Sequence, residues 1–228
     1  MRDRAAIEEP FTDLGADFLL SAAELGRRLE TVRAFVLDWD GVFNVGGKGE
    51  DAPSTFTEPD SMGTNLMRYA FWRQRGNLPV CAIVSGADNP TAKFFGQRER
   101  FDAVFCGFTD KGRAFDALCE KFALRRAEIA WVFDDVNDLS AARDCALRFM
   151  IRRDSSPLMR EFVAMNGLAD YITGAPAGTY PVREIAELLI GLLEGFPDVF
   201  ESRLRFDDRY RTYFAARQRV DTVVIDGA

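Results

Sequence analysis

Short, continuously apolar runs separated by helical patterns constrain this chain more than any other feature. Residues 34–37, 80–84, 103–105, 130–133 and 147–151 are apolar throughout or nearly so. Such runs are too short for helices and fit strands buried on both faces. Tyr171-Ile172 adds one further strand, expected at the edge. Helical patterns fill the gaps at 62–73, 89–98, 110–122, 138–144, 156–165 and 181–193. In the third of these, Ala114, Phe115, Leu118 and Phe122 recur on one helical face. Ser21-Ala22-Ala23-Glu24 has the spacing of a capping box and opens a short helix towards Glu30. This alternation predicts an α/β fold, a doubly wound (Rossmann-like) parallel sheet with helices on both faces. Right-handed crossovers follow from it.

At 228 residues the chain is one large domain, or a domain with extensions. Residues 1–30 read as an N-terminal helical extension and 31–195 as the main domain. Residues 44–57, rich in glycine and small side chains, predict a small hairpin flap over the strand ends. Residues 196–228 interleave Arg203, Arg205, Arg209, Arg211, Arg217 and Arg219 with Phe and Tyr. That pattern predicts a helical tail packed on its own domain or on a neighbouring subunit.

Several function classes drop out. A net charge of -7 argues against a nucleic-acid-binding surface. No run of about 18 apolar residues is present, so no transmembrane helix and no membrane partner is expected. The first residues carry acids and no apolar core, so no secretory signal is expected there. Cys81, Cys106, Cys119 and Cys145 are widely spaced and form no CxxC pair. Buried, reduced thiols in a cytoplasmic protein are the expectation. The chain has no histidine, which removes every Ser-His or Cys-His mechanism. Catalysis would have to rest on carboxylates, lysine, serine and a hard metal ion.

In a doubly wound sheet, ligands bind beyond the carboxyl ends of the strands. The first strand ends in Asp38-Trp39-Asp40-Gly41, the second in Ser85-Gly86-Ala87-Asp88, and the fourth in Asp134-Asp135-Val136-Asn137-Asp138. Lys111 opens the helix after the third. Each has a plain structural reading: Asp-Gly and Ser-Gly are common turns, Lys111 suits a solvated helix, and Asp134-Asp135 suits a helix cap. Their joint placement after successive strands is much rarer by chance. Side chains two apart along a strand leave on one side, so Asp38 and Asp40 repel unless a cation or shared proton intervenes. Carboxylates with oxygen-only partners suit Mg²⁺. A carboxylate can attack phosphorus, while a hydroxyl, backbone amides and lysine hold the phosphoryl oxygens. A second aspartate can do the proton transfer usually given to histidine.

In that order the motifs Asp38-x-Asp40-Gly41, Ser85, Lys111 and Asp134-Asp135-x-x-Asp138 resemble those of haloacid dehalogenase superfamily phosphatases. The resemblance implies Asp38 as nucleophile and Mg²⁺ ligand. It implies Asp40 as general acid/base, binding the metal through its backbone carbonyl. Ser85, Gly86 and Lys111 would bind the phosphoryl group. Asp134 would ligate Mg²⁺, with Asp135 or Asp138 in support. The intervals leave no room for an inserted cap domain, which resembles the capless branch typified by 3-deoxy-manno-octulosonate 8-phosphate phosphatases. Glu58-Pro59-Asp60-Ser61-Met62-Gly63, Ala169-Asp170-Tyr171-Ile172-Thr173 and the stretch from Gly174 to Glu184 extend the likeness over about 33–193. That branch implies a small phosphorylated sugar acid or similar substrate and a homotetramer in which a neighbour helps close the site.

The chain departs from the family in three places. Ala87 stands where the second motif usually carries a basic residue, Phe133 where glycine usually precedes the aspartate pair, and 174–181 differs from the usual glycine-rich segment. Two other readings therefore stay in view: a catalytically weak homologue serving as a binding or assembly subunit, and a phospho-accepting signalling module. The motif order, with Lys111 before the second acid cluster, favours the enzyme over the signalling module.

Overall fold

The computed structural model describes residues 5–49 and 54–227. In chain order the elements are α1 (Ala5–Asp13), β1 (Asp17–Phe18), α2 (Ala22–Leu29), β2 (Ala34–Leu37), α3 (Glu58–Arg75), β3 (Val80–Val84), α4 (Pro90–Glu99), β4 (Ala103–Cys106) and α5 (Lys111–Phe122). There follow β5 (Ile129–Phe133), α6 (Leu139–Ala142), β6 (Leu147–Arg152), α7 (Pro157–Met165), β7 (Tyr171–Pro176), α8 (Pro181–Leu192), α9 (Phe196–Arg205), α10 (Asp208–Gln218) and β8 (Val223–Asp226). The apolar runs therefore pair as strands, and the helical patterns lie between them. No described helix is long and apolar enough to cross a membrane.

Among the described residues the sheet has the order β1-β7-β6-β5-β2-β3-β4-β8. Every pairing is parallel except β1 with β7. The chain runs outward from β2 through β3 to β4, then returns to β5 on the other side of β2. The strand order thus reverses at β2 and β5, where a doubly wound sheet opens its binding crevice. In register Leu37 faces Val132, so the two strands end level with each other.

Alternation along the strands divides the core. Phe35 and Leu37 pack on one face with Trp39, Phe43 and residues of α2 and α8. Ala34 and Val36 pack on the other with Phe115, Trp131 and Phe133. Both faces are buried, which explains why the strands carry no polar alternation. The α3 helix begins at the Thr57 cap and stops at Gly76, whose φ of 76° closes the helix in the left-handed region.

The two sheet edges are where the sequence reading and the structure differ. Tyr171-Ile172 is not an edge, because Asp17 and Phe18 pair antiparallel beside it. The tail forms two helices and a strand, in place of one helix. Tyr210 and Tyr213 of α10 pack with Leu66, Tyr69 and Ala70 of α3 in a third apolar cluster. Val223–Asp226 then adds β8 beside β4. The half-buried β8 and the two-residue β1 are too short to give a periodic signal. The expected flap falls partly on residues 50–53, outside the described residues. Its described flanks form an irregular loop with no strand. All four cysteines are free thiols, with Cys81, Cys106 and Cys145 buried.

Candidate active site

The ladder between β2 and β5 continues one residue past the strand, where the Asp38 amide donates to the Val132 carbonyl at 2.9 Å. Trp39 then turns into the core, stacking on Phe43 at 4.8 Å between ring centroids. That anchor turns Asp38 and Asp40 away from the core. Gly41 follows with φ +86°, and a Cβ there would run into the Asp134 carboxylate. Both the backbone angle and the close approach demand glycine.

Asp38 is buried, and Lys111 Nζ forms an ion pair with its Oδ1. Lys111 begins α5 behind an Asp110 cap, and its ammonium also lies 3.0 Å from Asp138 Oδ1 and donates to the Val84 carbonyl at 3.1 Å. Asp134 follows β5. Asp138 Oδ2 accepts from the amides of Asp134 (3.3 Å) and Asp135 (3.2 Å), which folds this loop back on itself. Carboxylate oxygens of Asp38, Asp134 and Asp138 lie within 4.8 Å of one another. Asp135 turns aside to Arg153, whose Nη1 donates to it at 2.7 Å, while Arg153 Nη2 pairs with Asp134. Of the two supporting acids left open by the sequence, Asp138 is the one inside the cluster.

The electrostatics follow from burial. Desolvation, with the Asp138 charge beside it, pushes the Asp38 carboxyl up to about 7. Desolvation and the charges of Asp38 and Asp138 push Asp134 up to about 8. Burial alone would lower Lys111, but the charges of Asp38 and Asp138 outweigh it and raise it. Three buried carboxylates thus face one buried ammonium and the partly exposed guanidinium of Arg153. This oxygen-only donor set, short of positive charge, fits a hard divalent cation such as Mg²⁺.

Asp40 has different surroundings. It is half-buried, which by itself would raise its pKa. Hydrogen bonds from Lys48 Nζ, Asn89 Nδ2 (3.0 Å) and Ser54 Oγ (2.9 Å) outweigh that and hold it below the usual carboxylate range. Ser85 is buried after β3, and its Oγ accepts from Asn89 Nδ2 at 2.8 Å and the Ala87 amide at 3.3 Å.

Asp38, Asp40, Gly86, Lys111, Asp134, Asp135 and Asp138 all line one cavity of about 470 Å³. Ser85 lies just behind its wall. Lys48, Thr109 and Arg153 also line the cavity, and sequence reasoning passed over all three, as it did Asn89. Lys48 and Thr109 sit in loops and give no periodic signal. Asn89 reads as a helix cap before Pro90. Arg153 was within reach, since it immediately follows the fifth apolar strand. Of the departures, Ala87 lines the cavity, whereas Phe133 is buried against Trp131 at 6.4 Å between centroids, away from the chemistry.

No family model matches the chain. A hydrolase of the haloacid dehalogenase superfamily, subfamily III A, from Legionella pneumophila superposes with a TM-score of 0.65 at 22% identity, covering 80% of this chain and 94% of that one. The chain has the haloacid dehalogenase fold. Within that fold, the 3-deoxy-D-manno-octulosonate 8-phosphate phosphatase of Moraxella catarrhalis, solved with magnesium, phosphate and its sugar acid, superposes at 0.64. That match is 21% identical and covers 79% of this chain and 98% of the other. In sequence the chain is similar to the same phosphatase, KdsC, of Escherichia coli strain B, 27% identical over 174 residues. Those residues span 74% of this chain and 85% of the relative. The haloacid dehalogenase fold accounts for the position of the cavity at the reversal of strand order.

Proposed function

We propose that the chain is a Mg²⁺-dependent phosphomonoesterase that works through an aspartyl-phosphate. The observation that carries this reading is the pairing of Asp38 and Asp40 in one cavity. Asp38 is buried with Lys111, Asp134 and Asp138, and Asp40 lies two residues on with its own set of donors. The phosphatase relatives agree with it.

Asp38, Asp134 and the Asp40 main-chain carbonyl would hold the metal, with Asp138 bracing the loop. When bound, the metal supplies positive charge to Asp38 and to the phosphoryl oxygens. The Asp38 carboxylate attacks phosphorus, and the bond to the leaving oxygen breaks as Asp40 delivers a proton to it. Lys111, Ser85 and the backbone at Gly86 hold the phosphoryl oxygens as charge moves. Water then attacks phosphorus while Asp40 takes its proton, releasing phosphate and restoring Asp38.

The substrate we favour is a phosphorylated sugar acid or a related small metabolite. Lys48 and Arg153 give the rim of the cavity two cations for such a molecule. The catalytic unit spans 31–195, with 1–30 and 196–228 as extensions. Free thiols accord with a cytoplasmic setting, and the branch it resembles suggests a homotetramer. The purified protein should release phosphate from sugar phosphates with Mg²⁺ present, and an inactive wild-type protein across such a set would refute the reading.

A further inference from the structure

Asn89 occupies the N-cap of α4, directly before Pro90. An asparagine there ordinarily accepts a hydrogen bond from an amide in the first helical turn. Asn89 makes no such bond, although it is 7% exposed. Its Nδ2 donates to Asp40 Oδ2 at 3.0 Å and to Ser85 Oγ at 2.8 Å. One amide group thus spans the first two motifs of the cavity.

The remaining donors to Asp40 differ in kind. Lys48, 64% exposed, and Ser54 both belong to the irregular loop after β2. Among the described residues, Asn89 alone donates to the carboxylate from the sheet-and-helix framework. On the other side, Ser85 Oγ accepts from both Asn89 and the Ala87 amide. With its acceptor capacity so used, the hydroxyl proton is left for a further acceptor, as a phosphoryl oxygen would be. Substituents held by a rigid frame keep the alignment that proton transfer requires.

We infer that Asn89 is a positioning residue that fixes the Asp40 carboxylate relative to Ser85, so that leaving oxygen and phosphoryl group are addressed from one frame. This rests on the phosphomonoesterase reading. A loss of alignment at Asp40 should hurt most where the leaving group needs its proton. Phenyl phosphate has a poorer leaving group than p-nitrophenyl phosphate, and the two esters are nearly the same shape.

The test compares Asn89→Ala and Asn89→Ser with wild type and Asp38→Asn on both esters, with Mg²⁺ present. Serine preserves a good helix cap but is too short to bridge Asp40 and Ser85. Both Asn89 variants should lose about tenfold or more in kcat on phenyl phosphate and markedly less on p-nitrophenyl phosphate. Any rise in KM should be shared by the two esters. Equal losses on both esters, no loss, or recovery by serine would overturn the inference while leaving the enzyme reading intact. An inactive wild type, or an active Asp38→Asn, would overturn the enzyme reading itself and the Asn89 role with it.

Discussion

Asp38 and Asp40 lie two residues apart, and their surroundings shift their carboxyl pKa values in opposite directions. Burial and the Asp138 charge push Asp38 up to about 7, while hydrogen bonds from Lys48, Asn89 and Ser54 overcome the partial burial of Asp40 and lower it. Trp39 makes the division possible by anchoring the segment in the core between them. These shifts belong to the residues without a metal: a divalent cation beside Asp38 would favour its ionised, nucleophilic form, so the roles rest on the geometry of the pair and not on the direction of the shifts.

Metal binding should depend on pH in a definite sense. Asp38 and Asp134, at about 7 and about 8, hold protons in the metal-free fold that the unfolded chain has already released. Their contribution to stability is complete below the unfolded value near pH 4 and is lost as pH rises through about 7 to 8. Mg²⁺ must displace those protons. The rise in Tm produced by Mg²⁺ should therefore grow between about pH 5.5 and about pH 8.5. A thermal-shift series in which it stays flat or shrinks would count against the cluster as the metal site.

Gly41→Ala should damage the site without a general loss of packing. The left-handed backbone costs about 1–2 kcal/mol for alanine, and the added methyl displaces Asp134. Urea unfolding should register a loss of at least that size, and calorimetry should find weaker Mg²⁺ binding. Wild-type stability and affinity in the variant would rule out the close approach.

Lys111→Met should leave Asp38 and Asp138 without their ammonium. Turnover should drop by about 10²–10³, as for loss of a preorganised charge at a phosphoryl site. The metal-free variant should also bind Mg²⁺ at least as tightly as wild type, because Asp38 and Asp138 have then lost their ammonium and only Asp134 keeps a cationic partner, Arg153. Kinetics and calorimetry on one preparation would check both.

Much of this site was legible in the sequence. Apolar runs ending in acids mark strand ends, and parallel order converts strand ends into one rim, so Asp38, Lys111 and Asp134 could be placed together before any coordinates. What sequence could not supply was side-chain traffic between distant loops. Asn89 looks like a cap, and nothing local says that it points to Asp40. The choice of Asp138 over Asp135 depends on a loop folding back to its own amides. The tail was half legible: its helices have aromatic content, but β8 is fixed by pairing with β4, a contact between residues more than a hundred positions apart.

The tail is also bound into the core by charge. Arg217 of α10 is 7% exposed and pairs with Glu99 Oε2 at 2.5 Å, also donating to the Glu99 carbonyl at 3.1 Å. Glu99 keeps Arg98 and Ser61 as partners when Arg217 is removed, so the loss is that of a charge-assisted hydrogen bond, about 1.5–3 kcal/mol. Arg217→Met should lower stability by about that amount in urea titration. A change under about 1 kcal/mol would mean that the pair is not buried in solution.

The most direct measurement is phosphate release from p-nitrophenyl phosphate with Mg²⁺ by wild type and by Asp38→Asn, with circular dichroism confirming that both are folded. The account predicts Mg²⁺-dependent turnover by wild type and none above background by the folded variant. Turnover by Asp38→Asn at the wild-type rate would contradict it.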